Sequence, residues 1–304
     1  MKQFQRVLVC IETLEKARTL LPCASTVSRA VEAREVHLLH VHSSAATRAK
    51  MTVNGVAIAR KSITTSILRN AASDLFKGHG REKVQCVVVG GSPMAEILRY
   101  AQSREVDLIV LGRRSGEDTA AAFSRRLASK VRCSVLVIPD DARPEWKRIL
   151  VPARNSECSG NALAAACGIG AATGAEVVCL NVYRVRSGYL NIGTSLERQI
   201  ALMGELAHRE CEELRGRTDT AGADLTVKCV PDLYHKPVPA ILEQITGESA
   251  DLLVIGAHGR RGIAGILLGS VTEEMIRRCS VPVLAVKKKG EAVGLTRAVR
   301  TLAG

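Results

Sequence analysis

The sequence predicts an α/β protein of two tandem doubly wound domains, each a five-stranded parallel sheet with helices on both faces. The first observation behind this is internal repetition. "RVLVCI" at Arg6 returns as "RILVPA" at Arg148, and "EVHLLHV" at Glu35 returns as "EVVCLNV" at Glu176. "VDLIVLG" at Val106 returns as "ADLLVIG" at Ala250, and "SVLVI" at Ser134 as "PVLAV" at Pro282. Matches in one order at similar separations mean a duplicated domain. Second, short β-branched runs bounded by turn residues alternate with longer stretches of helical period in each copy. Third, the strands are apolar almost throughout, as in a parallel sheet covered on both faces.

At 304 residues the chain exceeds the usual single-domain range, so two cores fit its length. The expected divisions are 1–142, 147–290 and a charged tail, 291–304, with too little to bury and prone to fray. The junction "PDDARPEWK", Pro139 to Lys147, breaks the periodic pattern with prolines and charges and reads as a linker. In the second copy the expected strands are Arg148–Ala153, Ala175–Tyr183, Asp224–Pro231, Asp251–Gly256 and Val281–Lys287. Cys158–Thr173 and Ser195–Arg217 read as helices, and a further helix opens near Ser270 with Glu273 and Glu274 at its start.

Composition excludes several classes. No apolar run approaches the ~18 residues that span a bilayer. The N-terminus has one short apolar run with acidic residues behind it, unlike a signal or transit peptide, so a cytoplasmic protein is expected. The ten cysteines stand singly, without a C-x-x-C pair or clustered histidines, and read as small core hydrophobes rather than a metal site. A net charge of +13 favours anionic partners without naming one. Aromatics at 3% disfavour a nucleic-acid binder built on base stacking.

The densest chemistry lies in "GAHGRRGIAGILLGSV", Gly256 to Val271, where five of sixteen residues are glycine. It starts at the carboxyl end of a strand and leads into a helix. In such a sheet ligands bind beyond the carboxyl ends, where strand order reverses. Glycines let the backbone approach an anion, and the free N–H groups of a helix start favour phosphate. Ser270 or Thr272 can add a hydroxyl donor or a ligand to a phosphate-bound Mg²⁺. The stretch lacks the lysine of a G-x-x-x-x-G-K-[ST] loop and the spacing of G-x-G-x-x-G. A phosphate cradle and a tight turn both remain readings of these residues alone, the cradle favoured.

Gly256-x-x-Gly259, nine residues, then Gly269-Ser270 resembles the nucleotide-binding signature of the universal stress protein family, G-x-x-G-(nine)-G-[S/T]. The similarity extends from Arg6 to Ile138 and from Arg148 to Val286, so the chain resembles a tandem member. The resemblance implies ATP as ligand, with or without Mg²⁺, and a stress-response regulatory role. Its phosphates would rest on Gly256, Gly259, Gly269 and Ser270, with His258 inside the loop and Val271 and Thr272 behind it. Ribose and adenine would lie near Pro152, Ala153 and Arg154 and near Asn181–Val182, the Val182 backbone facing the adenine edge. Family members usually carry Asp where this copy has Arg154. A cation cannot accept a hydrogen bond from an adenine amino group, so base preference here is open.

The first copy keeps an acid, Glu12, and His40-Val41. Its loop is four residues shorter: Gly112 is present, Ser115 replaces the second glycine, Ala121–Ala122 stand for Gly269–Ser270, and Glu117 and Asp118 add negative charge. This half therefore reads as degenerate for triphosphate, a scaffold or partner surface. Asp107 and Asp251, at the amino ends of their strands, read as turn or capping groups. His235 reads as a solvated turn residue, and Lys287 to Lys289 as a solubilising strand end. The resemblance further implies that the two domains pair within the chain through the edges Ser134–Ile138 and Val281–Val286, with homodimers and an unnamed protein partner left open. Three classes follow: an ATP-binding regulator in which the C-terminal domain holds the nucleotide and turnover is not required; a slow ATPase or phosphotransfer enzyme; and a basic nucleic-acid or protein interaction module without nucleotide.

Overall fold

The computed structural model describes residues 3–42, 50–53, 56–76, 83–113, 118–185, 195–257 and 268–287. It divides into two compact units, Met1–Glu145 and Trp146–Gly304. The expected tail, His258 and Gly259 of the second loop, and Ser115 and Glu117 of the first lie outside the described residues.

The first unit alternates strand and helix: β1 (Arg6–Ile11), α1 (Ala17–Ala30), β2 (Glu35–His42), the short strands β3 (Lys50–Val53) and β4 (Val56–Ala59), α2 (Arg60–Leu75), β5 (Lys83–Gly90), α3 (Pro93–Ser103), β6 (Leu108–Arg113), α4 (Asp118–Lys130) and β7 (Ser134–Pro139). Its strands run in the order β7-β6-β1-β2-β5, all neighbours parallel. Each central strand is buried because helices cover both faces; Val7, Leu8, Val9 and Leu108 to Val110 are inaccessible. The antiparallel β3–β4 ribbon, Lys50 opposite Ala59, is an addition to the five expected strands.

The second unit repeats the plan: β8 (Arg148–Pro152), α5 (Glu157–Thr173), β9 (Glu176–Arg184), α6 (Leu196–Gly216), β10 (Leu225–Asp232), α7 (Pro237–Gly247), β11 (Leu252–Gly256), α8 (Ser270–Arg278) and β12 (Val283–Val286). The order is β10-β9-β8-β11-β12, again parallel. Elements fall within one or two residues of their expected places. Helix ends follow local rules: the Ser156 side chain accepts from Ser159 N–H at the start of α5, and Gly174 at φ 75° ends it. No helix among the described residues is long and apolar enough to cross a membrane.

One device fixes the amino end of each sheet. Asp107 Oδ2 accepts from the N–H groups of Gln5 and Arg6 at 3.0 and 2.9 Å, and Asp251 Oδ2 accepts from Lys147 and Arg148 at 2.8 and 3.0 Å. Both aspartates therefore cap backbone, as expected from their positions opposite the carboxyl ends. In each unit strand order reverses between the first and fourth long strands, β1/β6 and β8/β11, which opens a crevice at their carboxyl ends.

Candidate nucleotide site and its counterpart

In the second unit the crevice is bordered by the end of β8, by Val182 of β9 and by Gly256 of β11. Ala153 is buried and its N–H bonds to Leu180 C=O at 2.8 Å, which turns the chain so that the following Arg154 side chain stands exposed. Arg154 reaches to the neighbouring strand β9: its Nη2 donates to the Val182 carbonyl at 3.3 Å. The carbonyl expected to face a base edge thus carries a guanidinium. Arg154 N–H is held by Ser159 Oγ at 3.1 Å, which ties this segment to the start of α5.

Gly256 has a packing reason of its own. A Cβ there would lie 2.8 Å from the Cys158 carbonyl, so the first turn of α5 could not seat against β11 with any larger residue. Ala257 is fully buried, and its carbonyl accepts from Gly269 N–H at 2.8 Å, bringing the far end of the loop back beside the strand. Gly269 is the N-cap of α8, in extended geometry with φ −68° and ψ 147°, and has no side chain to cap the first turn. Ser270 is exposed there and Val271 is half-buried. Thr272 is buried, and its hydroxyl donates to Gly256 C=O at 3.0 Å, so it clamps the two ends of the loop together. The donor set suits an anion: first-turn N–H groups, an exposed hydroxyl and the positive end of a helix dipole.

The structure brings Pro152 to Arg154, Val182, Gly256 and Gly269 to Thr272 to the carboxyl edge of one sheet, while His258 and Gly259 lie outside the described residues. His235 is exposed in a turn at φ 55°.

The first unit is built differently at the same edge. The helix α4 opens at Asp118, so Ala121 and Ala122 lie within it and their N–H groups belong to its own ladder. Phe123 instead borders a cavity of about 300 Å³ at the ends of β1, β2 and β6. Sequence reasoning missed this cavity. Its apolar walls include Ile11, Leu39, Val41, Ile97 and Leu111, and Glu12 and Lys16 also line it. Lys16 is largely covered, its side chain 11% exposed, and its Nζ pairs with Glu12 Oε2, whose side chain is 67% exposed. Burial pushes the Cys10 thiol far up, so this wall residue stays neutral. Beside it runs a hydrogen-bonded relay. The Ile11 carbonyl can only accept, so His40 Nδ1 donates to it at 2.8 Å, and His40 Nε2 shares a hydrogen bond with His42 Nδ1 at 3.2 Å. His42 Nε2 in turn shares a hydrogen bond with the Thr64 hydroxyl at 3.2 Å.

Comparison with known proteins agrees with this duplicated architecture. The model of the universal stress protein family matches residues 3–139 and again 145–287. The chain belongs to the universal stress protein family and carries two copies of its domain. It is similar to universal stress protein MJ0531 of Methanocaldococcus jannaschii, 32% identical over 47% of this chain and 83% of that protein. It is also similar to MJ0577 of the same organism, 28% identical over 47% of this chain and 96% of that protein. Among solved structures, PA1789 of Pseudomonas aeruginosa PAO1, described as functionally unknown, shares the fold across 99% of this chain and 98% of its own. Its TM-score is 0.67 at 18% identity.

Proposed function

We propose that this chain is a regulatory protein of the stress response that takes ATP in its second unit. The observation that carries this reading is the glycine-rich segment from Gly256 to Ser270, which spans from the carboxyl end of β11, at the reversal of strand order, to the N-terminus of α8. Phosphates would meet Gly256, His258, Gly259, Gly269 and Ser270. Val271 and Thr272 would support the loop from behind, Thr272 through its bond to Gly256. A Mg²⁺ ion on the phosphates would find the exposed Ser270 hydroxyl rather than the engaged one of Thr272.

The base end would lie against Pro152, Ala153, Arg154 and Val182. Arg154 competes with an adenine amino group for the Val182 carbonyl, so Arg154 lowers adenine preference more than phosphate affinity. Bound nucleotide would favour one arrangement of the loop and the α8 start, and occupancy rather than turnover would be the signal. Mass spectrometry of nucleotide released by denaturing the purified chain tests this. About one ATP or ADP per chain supports the reading; a chain that carries none and binds none on addition refutes it.

A further inference from the structure

We infer that the cavity of the first unit is a binding site for an amphipathic monocarboxylic acid, its apolar body among Ile11, Leu39, Val41, Ile97 and Phe123 and its carboxylate on Lys16 Nζ. The inference is independent of the nucleotide reading, which concerns the other unit. Three observations carry it.

The first is size and lining. About 300 Å³ is roughly ten times the volume that one water occupies in the liquid, so a body of about eight to ten methylene-sized groups fits. Walls dominated by apolar side chains, with a few polar groups at one place, characterise small-molecule sites. Cys10 adds a neutral surface.

The second is the head group. Lys16 lines the cavity with its stem covered, and its ammonium has three donors. Its partner Glu12 is largely solvent-exposed and can swing outward, leaving Lys16 to a ligand carboxylate. Glu12 nearby also repels a multiply charged head.

The third is that the features favouring phosphate are missing from the described part of this edge. Ala121 and Ala122 lie inside α4, where the second unit has its Gly269 N-cap and Ser270, and Phe123 fills the place of Val271. A single carboxylate on one lysine suits the remaining chemistry.

The test is calorimetric titration of straight-chain carboxylates from six to fourteen carbons into the full chain, with matched alcohols and with ATP as competitor. Affinity should rise about three- to fourfold per methylene and stop rising near ten carbons, where the cavity is full. Lys16→Met should weaken decanoate at least tenfold and leave decanol unchanged. Val41→Trp should weaken both, with circular dichroism confirming the fold of each variant. Unchanged decanoate binding at saturating ATP is expected. No binding of any chain length overturns the proposal, as does binding that Lys16→Met leaves intact. Displacement of decanoate by ATP in wild type, lost in Lys16→Met, also overturns it and would make the first unit a nucleotide site. Loss of ATP binding to the second unit would leave these outcomes unaffected.

Discussion

The two units carry opposite charges at one position. The repeats beginning at Arg6 and Arg148 place Glu12 opposite Arg154 and Lys16 opposite Cys158. In the first unit Glu12 and Lys16 pair at a cavity of about 300 Å³. In the second, Arg154 lies on the Val182 carbonyl, and the backbone at Cys158 approaches so closely that only glycine fits at 256. The counterpart of Gly256 is Gly112, where, among the described residues, a Cβ would meet nothing nearer than the Ile138 carbonyl at 3.9 Å. The same fold is thus tight where a glycine-rich loop leaves the strand in one copy and roomy around an apolar pocket in the other. After duplication, the backbone plan is kept by its strand pattern and Asp caps, while the carboxyl edge is free to diverge in side chains and loop length.

The largest effect that would break this contrast comes from Gly269→Val. The observed φ of −68° and ψ of 147° are allowed for valine, so the fold should survive, while the added branch would occupy the space proposed for phosphate. ATP affinity in titration should fall about a hundredfold or more, the scale of about 3 kcal/mol in lost contacts and clash. An unchanged affinity with native circular dichroism would remove Gly269 from the site.

Next is a paired stability measurement. Gly256→Ala should cost about 1–3 kcal/mol in urea unfolding, because its Cβ meets backbone at 2.8 Å and α5 must shift. Gly112→Ala should stay within about 0.5 kcal/mol, since its site has room. Equal costs would show that the tight approach at Cys158 is not what distinguishes the units.

A smaller change concerns Arg154. Arg154→Gln frees the Val182 carbonyl, and the ratio of ATP to GTP affinity should rise by a few-fold, about 1 kcal/mol for one hydrogen bond regained. Tripolyphosphate affinity should change less than that ratio. A fall in tripolyphosphate binding with no change in the base ratio would assign Arg154 to the phosphates.

Smallest is a pH effect at the opposite end. The Lys228 ammonium, with Arg148 beyond it, holds the Glu248 carboxyl below its ordinary 4.5. A lowered folded value means that its stabilisation is complete above the ordinary value and is lost as pH falls through the folded one. Glu248→Gln should therefore lower the thermal midpoint at pH 7 by more than it does at pH 3, with an effect below about 1 kcal/mol for a pair open to water. An equal shift at both pH values would show that the ion pairs to Lys228 and Arg148 carry no charge-dependent stability.

Much of this was legible in the sequence because it depends on periodicity and local punctuation. The duplication, the parallel strands, the caps at Asp107 and Asp251 and the helix start at Ser270 all rest on such signals. The β3–β4 ribbon was also signalled, by Asn54-Gly55 between two short apolar-rich runs, the dipeptide suited to tight hairpins. It was overlooked within a chain otherwise read as parallel. What was not legible depends on space between elements. That Gly256 serves helix packing, that Thr272 spends its hydroxyl on Gly256 and that Arg154 reaches Val182 follow from approach distances that no sequence interval encodes. The cavity belongs to the same kind: the shorter loop and Phe123 were visible, but their consequence needed α4 set against β6.

The central claim is that nucleotide occupies the second unit alone. Calorimetric titration of ATP with Mg²⁺ into stripped full-length chain tests it most directly, with Lys16→Met and Gly269→Val measured alongside. The account predicts one equivalent of ATP for wild type and Lys16→Met and binding weakened about a hundredfold or more for Gly269→Val. Two equivalents in wild type, or binding abolished by Lys16→Met and kept by Gly269→Val, would contradict it.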